Sequence, residues 1–122
     1  MEELQIITHQ QNDLKIAEVI SRDILIKNID DGKDLAANLY YQGFDNVIIH
    51  NKSIAPDFFD LKTKVAGEIL QTFSNFRIKL AIVGDFTTYA SKSLNDFIFE
   101  SNKMGRINFV SSIEEAVSKF GQ

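Results

Sequence analysis

The chain contains no cysteine and only two histidines, His9 and His50, among 122 residues. Without thiols there can be no disulfide, no thiolate nucleophile and no thiolate metal site, and two imidazoles would leave any metal site dependent on carboxylates. No metal and no cofactor is expected. The six glycines form neither Gly-x-Gly-x-x-Gly nor Gly-x-x-x-x-Gly-Lys, the spacings that cradle phosphates on backbone amides. Gly-x-Ser-x-Gly is missing too, so a hydrolase triad has no support. No apolar run reaches the roughly 18 residues of a membrane span. The start, Met1-Glu2-Glu3-Leu4, lacks the basic and apolar regions of a secretory signal. A cytoplasmic location and no membrane partner are expected. Positive charge is in deficit, with 13 Lys and Arg against 17 Asp and Glu, a net charge of -4. The basic residues are scattered along the chain and form no stripe, so nucleic acid is not an expected partner. Internal repeats, linkers and low-complexity segments are likewise absent, and residues 1–122 read as one domain long enough for a core.

What the chain does have is alternation. Leu4 and Ile6, then Leu14 and Ile16, alternate with polar residues around Gln10-Gln11-Asn12-Asp13, which reads as an antiparallel β-hairpin. Ile24-Leu25-Ile26 is too short to decide between a strand and an extended lead-in. Asp31 offers an N-cap oxygen, Leu35, Ala36, Leu39 and Tyr40 fall at helical spacing, and Gly43 suits a left-handed C-terminal position. Strand Val47 to His50, a helix to about Phe73, strand Ile78 to Val83, a helix from about Ser93, strand Ile107 to Val110 and a last helix to Phe120 follow. Ser93 with Asp96, and Ser111 with Glu114 or Ser112 with Glu115, resemble capping boxes, while Gly105 follows Lys103 at a helix end. Strands alternating with helices imply parallel crossovers. The fold class is α/β: an N-terminal hairpin, then alternating α and β elements, giving a mixed sheet with helices.

In such sheets ligands bind outside the carboxyl ends of the strands. His50 and Asn51, Gly84 to Thr88, and Ser111 with Ser112 leave at that edge. The densest stretch runs from Asn46 to Leu70 and holds the single proline, Pro56. Its Asp57, Asp60, Lys62 and Thr63 emerge where they could face Asp85 and Lys92. His50 with Asp57, Asp60 or Asp85 could supply an acid/base pair, since neighbouring charge or burial moves a pKa toward neutrality. Capping is the blander role for such aspartates. An ordinary hydrogen-bonded residue at a strand end is likewise the blander role for His50. Phe58 and Phe59 each start a series of three- and four-residue steps into the helix, so both suit a core. Adjacent helical residues point about 100° apart, which leaves one ring at the margin of the stripe for recognition. Gly67 costs that helix about 1 kcal/mol against alanine, a cost consistent with close approach to the sheet or a partner.

Several stretches together carry a resemblance over the whole chain: Asn38-Leu39-Tyr40-Tyr41-Gln42-Gly43, Pro56 to Thr63, Ala66 to Gln71, Lys79 to Phe86, and Ser91 to Ile98. They resemble the uncharacterised bacterial domain of unknown function 4180, a likeness that carries no activity. The order of elements also looks like the STAS domain of anti-sigma-factor antagonists. That resemblance implies a regulatory module in which a loop and helix start bind a partner kinase and accept phosphate at an Asp-Ser-Ser/Thr-Gly motif. Here Asp60 is followed by Leu61 and Lys62, and Thr63 falls one place late, making Thr63 the candidate phosphate acceptor at a helix start. The implied function is binding of a regulatory protein or small ligand through residues 50–63, with Asp57, Phe58, Phe59, Asp60, Lys62, Thr63 and Lys92 as the surface. An enzyme using His50 with Asp57, Asp60 or Asp85 is the alternative. A homodimeric scaffold burying the Phe pair is the third reading.

Overall fold

The computed structural model describes residues 5–11, 13–89 and 91–121. Leu4 and Asn12, assigned by pattern to the first strand and its turn, lie outside the described residues. Strands β1 (Gln5–Gln11) and β2 (Leu14–Ile20) pair antiparallel, with Gln11 opposite Leu14 and His9 opposite Ile16. Strands β3 (Asn46–His50), β4 (Lys79–Val83) and β5 (Ile107–Val110) then add in order, each parallel to the one before. The result is a five-stranded mixed sheet in the order β1-β2-β3-β4-β5.

Three crossovers step across this sheet in one direction, through α1 (Ile29–Tyr41), α2 (Val65–Asn75) and α3 (Lys92–Met104). Crossovers of uniform right hand leave their helices on one face, and the buried residues agree. Leu35, Ala36 and Leu39 of α1, Ala66, Ile69, Leu70 and Phe73 of α2, and Leu94 of α3 share a core with Ala17, Val19, Val47, Ile49, Leu80, Ile82, Ile107 and Phe109. The other face belongs to α4 (Ile113–Phe120), whose Ala116 and Phe120 cover Ile16, Ile48, Ala81 and Val110. The period-two alternation along β2 to β5 thus sorts every strand between two cores. No helix among the described residues is long and apolar enough to cross a membrane.

Local chemistry sets the helix ends, in places differently from the pattern. The cap of α1 is Asn28, whose side chain accepts from the Asp31 amide at 2.9 Å, while Asp31 accepts from the Lys27 amide. Asp31 therefore lies inside the helix and supports a start three residues earlier. Gly43 takes its left-handed place at φ 88°, where the Phe44 amide bonds the Leu39 carbonyl. Residues 51–63 are not helix α2 but three 3₁₀ turns, Asn51–Ser53, Pro56–Phe59 and Leu61–Thr63. Pro56 opens the second, and the left-handed Lys64, φ 64°, separates the third from α2. Phe58 and Phe59 thus precede α2, although their three- and four-residue steps match its spacing. The segment Leu25-Ile26 is extended and bridges residue 54 alone, tied by its amides to the Ser53 carbonyl. Ser91, not Ser93, caps α3 by accepting from the Leu94 amide. Gly105, φ 84°, ends that helix, and Ser112 with Glu115 begins α4.

Gly67 is exposed, with nothing within 4 Å of where a Cβ would stand, so close approach to the sheet is not its reason. Close approach occurs at Gly32, where a Cβ would lie 2.6 Å from Ile69 of α2. The outer edge of β5 is covered from α3: Asn102 accepts from the Phe109 amide and donates to its carbonyl, while Ser101 donates to the Ile107 carbonyl.

Candidate functional site

The carboxyl edge is where the sheet changes hands. After β4 the chain turns toward α3 on one face, and after β5 it turns toward α4 on the other. Adjacent strands whose connections depart to opposite faces leave a crevice between their ends, the usual ligand position in open α/β sheets. A crevice of about 520 Å³ opens there, between Gly84, Asp85, Phe86 and Thr87 after β4, Asn95 and Ile98 of α3, and Phe109 to Ser111 with Glu115. Its floor is apolar. The ring of Phe86 meets Phe109 edge-on at 5.3 Å, and Phe109 meets Phe97 at 6.0 Å.

The rim is polar and pre-set. Asp85 Oδ1 accepts from the Thr87 amide at 3.1 Å and its hydroxyl at 2.6 Å. Those bonds, the hydroxyl's first, hold the Asp85 carboxyl below its usual range. Glu115 Oε1 accepts from the amide and hydroxyl of Ser111 at 3.0 and 3.1 Å, spanning the strand exit and the helix start. Gly84 is needed because a Cβ there would collide with the Asn51 side chain.

A second cluster sits on the α4 face, beyond the area that α4 covers. Glu18, 8% exposed, receives His9 Nε2 on one carboxylate oxygen and His50 Nε2 on the other, both at 2.7 Å. A carboxylate only accepts, so both imidazoles carry their proton on Nε2. Burial raises the Glu18 pKa, but the bonds from His9 and His50, with their charge, outweigh it and leave the net shift downward. Pattern reasoning missed Glu18 and its pairing with His9. A carboxylate set between Ala17 and Val19 in a strand, and a hairpin register bringing His9 beside it, were the available signals. Among the described residues no group of three or more His, Asp or Glu could hold a metal ion.

The family described as Domain of unknown function (DUF4180) matches residues 11–120. The chain belongs to this family. The comparison with curated proteins finds no match.

Within this DUF4180 domain the residues expected from sequence are dispersed. Phe58 and Phe59 are buried, 4.9 Å apart edge-on, and Phe59 stacks on Tyr89 at 5.2 Å and tilts against Phe86. The loops after β3 and β4 therefore meet, but through rings and not through charges. Asp57, Asp60 and Lys62 are exposed, and Asp60 accepts from the Lys62 amide as a turn cap. The Thr63 hydroxyl shares its one proton between the carbonyls of Asp57 and Asp60, at 2.7 and 2.8 Å, tying two 3₁₀ turns together. Lys92 pairs with Asp96 at 2.8 Å, and that bond raises its pKa. His50 is bound to Glu18, and no hydrogen bond among the described residues joins it to Asp57, Asp60 or Asp85. Of the candidate catalytic and surface side chains only Asp85 lines the crevice; Gly84, Phe86, Thr87 and Ser111, expected at the carboxyl edge from the order of elements, line it too, and Asn95 and Glu115 join them.

Proposed function

We propose that this domain is a small-ligand-binding module whose site is the crevice at the carboxyl ends of β4 and β5. The observation that carries the reading is the coincidence of a concave site with the place where the chain exits diverge to opposite faces. Its volume lies within the roughly 300–1,000 Å³ typical of small-molecule sites. An apolar floor with a few fixed polar groups at the rim is also the usual division of labour, the floor supplying affinity and the rim orientation. The lining has two carboxylates and no lysine, arginine or histidine, which favours a neutral or cationic ligand with an apolar body.

A regulatory role, of the kind the STAS resemblance implies, is supported by the aromatic connection. Phe86 on the crevice floor touches Phe59, and Phe59 touches Phe58, so a ligand pressing on Phe86 acts on the 3₁₀ segment 51–63. That segment presents Asp57, Asp60 and Lys62 to a partner. Phosphorylation of Thr63 would require release of both carbonyl bonds that its hydroxyl makes.

The test is amide chemical-shift mapping with a fragment library of neutral, cationic and anionic members. Hits are expected to shift Gly84, Thr87 and Ser111 together, and Ile98→Trp, which fills the crevice, is expected to abolish them. Hits confined to other surfaces, or retained by Ile98→Trp, would refute the assignment.

A further inference from the structure

The opposite end of the same two strands carries a site of inverse charge. At the amino ends of β4 and β5, a pocket of about 350 Å³ is enclosed by Lys79, Asn102, Lys103, Arg106, Asn108 and Lys119, with Met104 and Gly105. Four cations surround it and no carboxylate lines it. Sequence places them at positions 79, 103, 106 and 119, three separate stretches of the chain that the fold brings together. Among the described residues none of the four makes an ion pair, although Lys79 and Lys119 are half-buried.

Helix polarity explains part of this arrangement. Lys103 and Lys119 stand in the last turns of α3 and α4, where cations offset the negative helix terminus. Each terminus is worth about half an elementary charge, so two termini leave an excess of about three positive charges on the pocket. That excess makes the pocket a positive spot on a chain of net charge -4, with Lys103 and Arg106 exposed to meet an anion. Asn108 is 1% exposed and donates through Nδ2 to the Gly105 carbonyl at 3.0 Å, while its Oδ1 has no partner. The Gly105 carbonyl fixes the amide orientation, since a flip would set two acceptors against each other. That Oδ1 is sealed from solvent and meets no ligand; what the pocket offers an anion is four cations and no lining carboxylate.

We infer that this pocket binds a small phosphorylated molecule. A phosphate monoester carries about -1.5 to -2 charges, which suits the excess, and the Arg106 fork matches its oxygens in bidentate geometry. A concave pocket, in contrast to a stripe along a face, selects a compact anion over a nucleic-acid backbone. The site is independent of the crevice at the carboxyl ends, and either could fail without the other.

Amide and arginine side-chain NMR titrations at near-physiological salt, with inorganic phosphate and ribose 5-phosphate as probes, test it. Saturable shifts centred on Gly105, Arg106, Asn108 and Lys119 are expected. The double variant Lys79→Gln/Arg106→Gln should retain the thermal unfolding profile and weaken binding roughly tenfold. Lys33→Gln, remote from the pocket, should leave binding unchanged. Four results would overturn the inference: no saturable shift, shifts no larger than chloride gives at equal ionic strength, an equal loss in Lys33→Gln, or tighter binding of citrate. Tighter binding of a single-stranded oligonucleotide with the same dependence on Lys79 and Arg106 would also overturn it, in favour of a nucleic-acid surface.

Discussion

Replacing Glu18 with alanine removes the one acceptor that holds both histidines of the chain. Each imidazole bonds a separate carboxylate oxygen at 2.7 Å, and a hydrogen bond to a charged group contributes roughly 1.5–3 kcal/mol when well buried. The histidine side chains are 32% and 22% exposed, so water replaces part of each bond and the pair is worth about 2 kcal/mol together. In a domain of this size that corresponds to a fall of roughly 8 °C in the melting temperature. Glu18→Gln should cost about half as much, because its amide can accept from one imidazole and donate to the other in the opposite tautomer. Urea unfolding of the three proteins across pH gives the decisive comparison. The folded pKa of Glu18 lies below its ordinary 4.5, so its ionised form stabilises fully above about 4.5 and the contribution is lost as pH falls through the lower folded value. The gap between wild type and Glu18→Ala should close as pH falls below 4.5. A Glu18→Ala protein within about 0.5 kcal/mol of wild type at pH 7, or one whose deficit persists undiminished at the acid end, would show that the trio does not hold these strands together.

Gly32→Ala should destabilise by about 1–2 kcal/mol even though alanine favours a helix, since the added methyl meets Ile69 at 2.6 Å; unchanged stability in urea would mean that α1 and α2 can separate freely. Gly67→Ala should do the reverse, gaining about 0.5–1 kcal/mol on an open helix surface, and a loss would reveal an unseen contact. Arg77 holds φ 60° where Gly43 serves the same purpose after α1, so Arg77→Gly should raise the denaturation midpoint by an equivalent of about 0.5–1 kcal/mol. A lowered midpoint would assign the arginine side chain a structural role.

Elements governed by neighbouring residues were legible in the sequence. Strand β5 has the bounds its apolar run suggested, Gly43 and Gly105 take left-handed positions, and Ser112 with Glu115 caps α4. Legibility failed where two local solutions share a spacing. Steps of three and four from Phe58 and Phe59 fit a helix, but Pro56 and the left-handed Lys64 break the segment into turns, and the rings enter the core from a loop. It failed again wherever chemistry is assembled from distant positions. The order of elements located the carboxyl edge and Asp85, yet Asn95 and Glu115 reach the crevice from two different helices. The Glu18 trio has no adjacency along the chain that a motif could record, and of the four cations at the amino ends only Lys103 and Arg106 are near neighbours in sequence.

The amide of Asn102 imitates a further strand alongside β5, giving the Phe109 backbone both the acceptor and the donor that a neighbouring chain would offer. Ser101 does the same for Ile107. Sheet extension is therefore blocked at the β5 margin, which leaves β1 as the other margin where a strand could add. Two copies joined in that way would meet β1 to β1 about a two-fold axis. Such a pair would carry its two carboxyl-end crevices and its two cationic pockets at the far margins, leaving all four accessible at once.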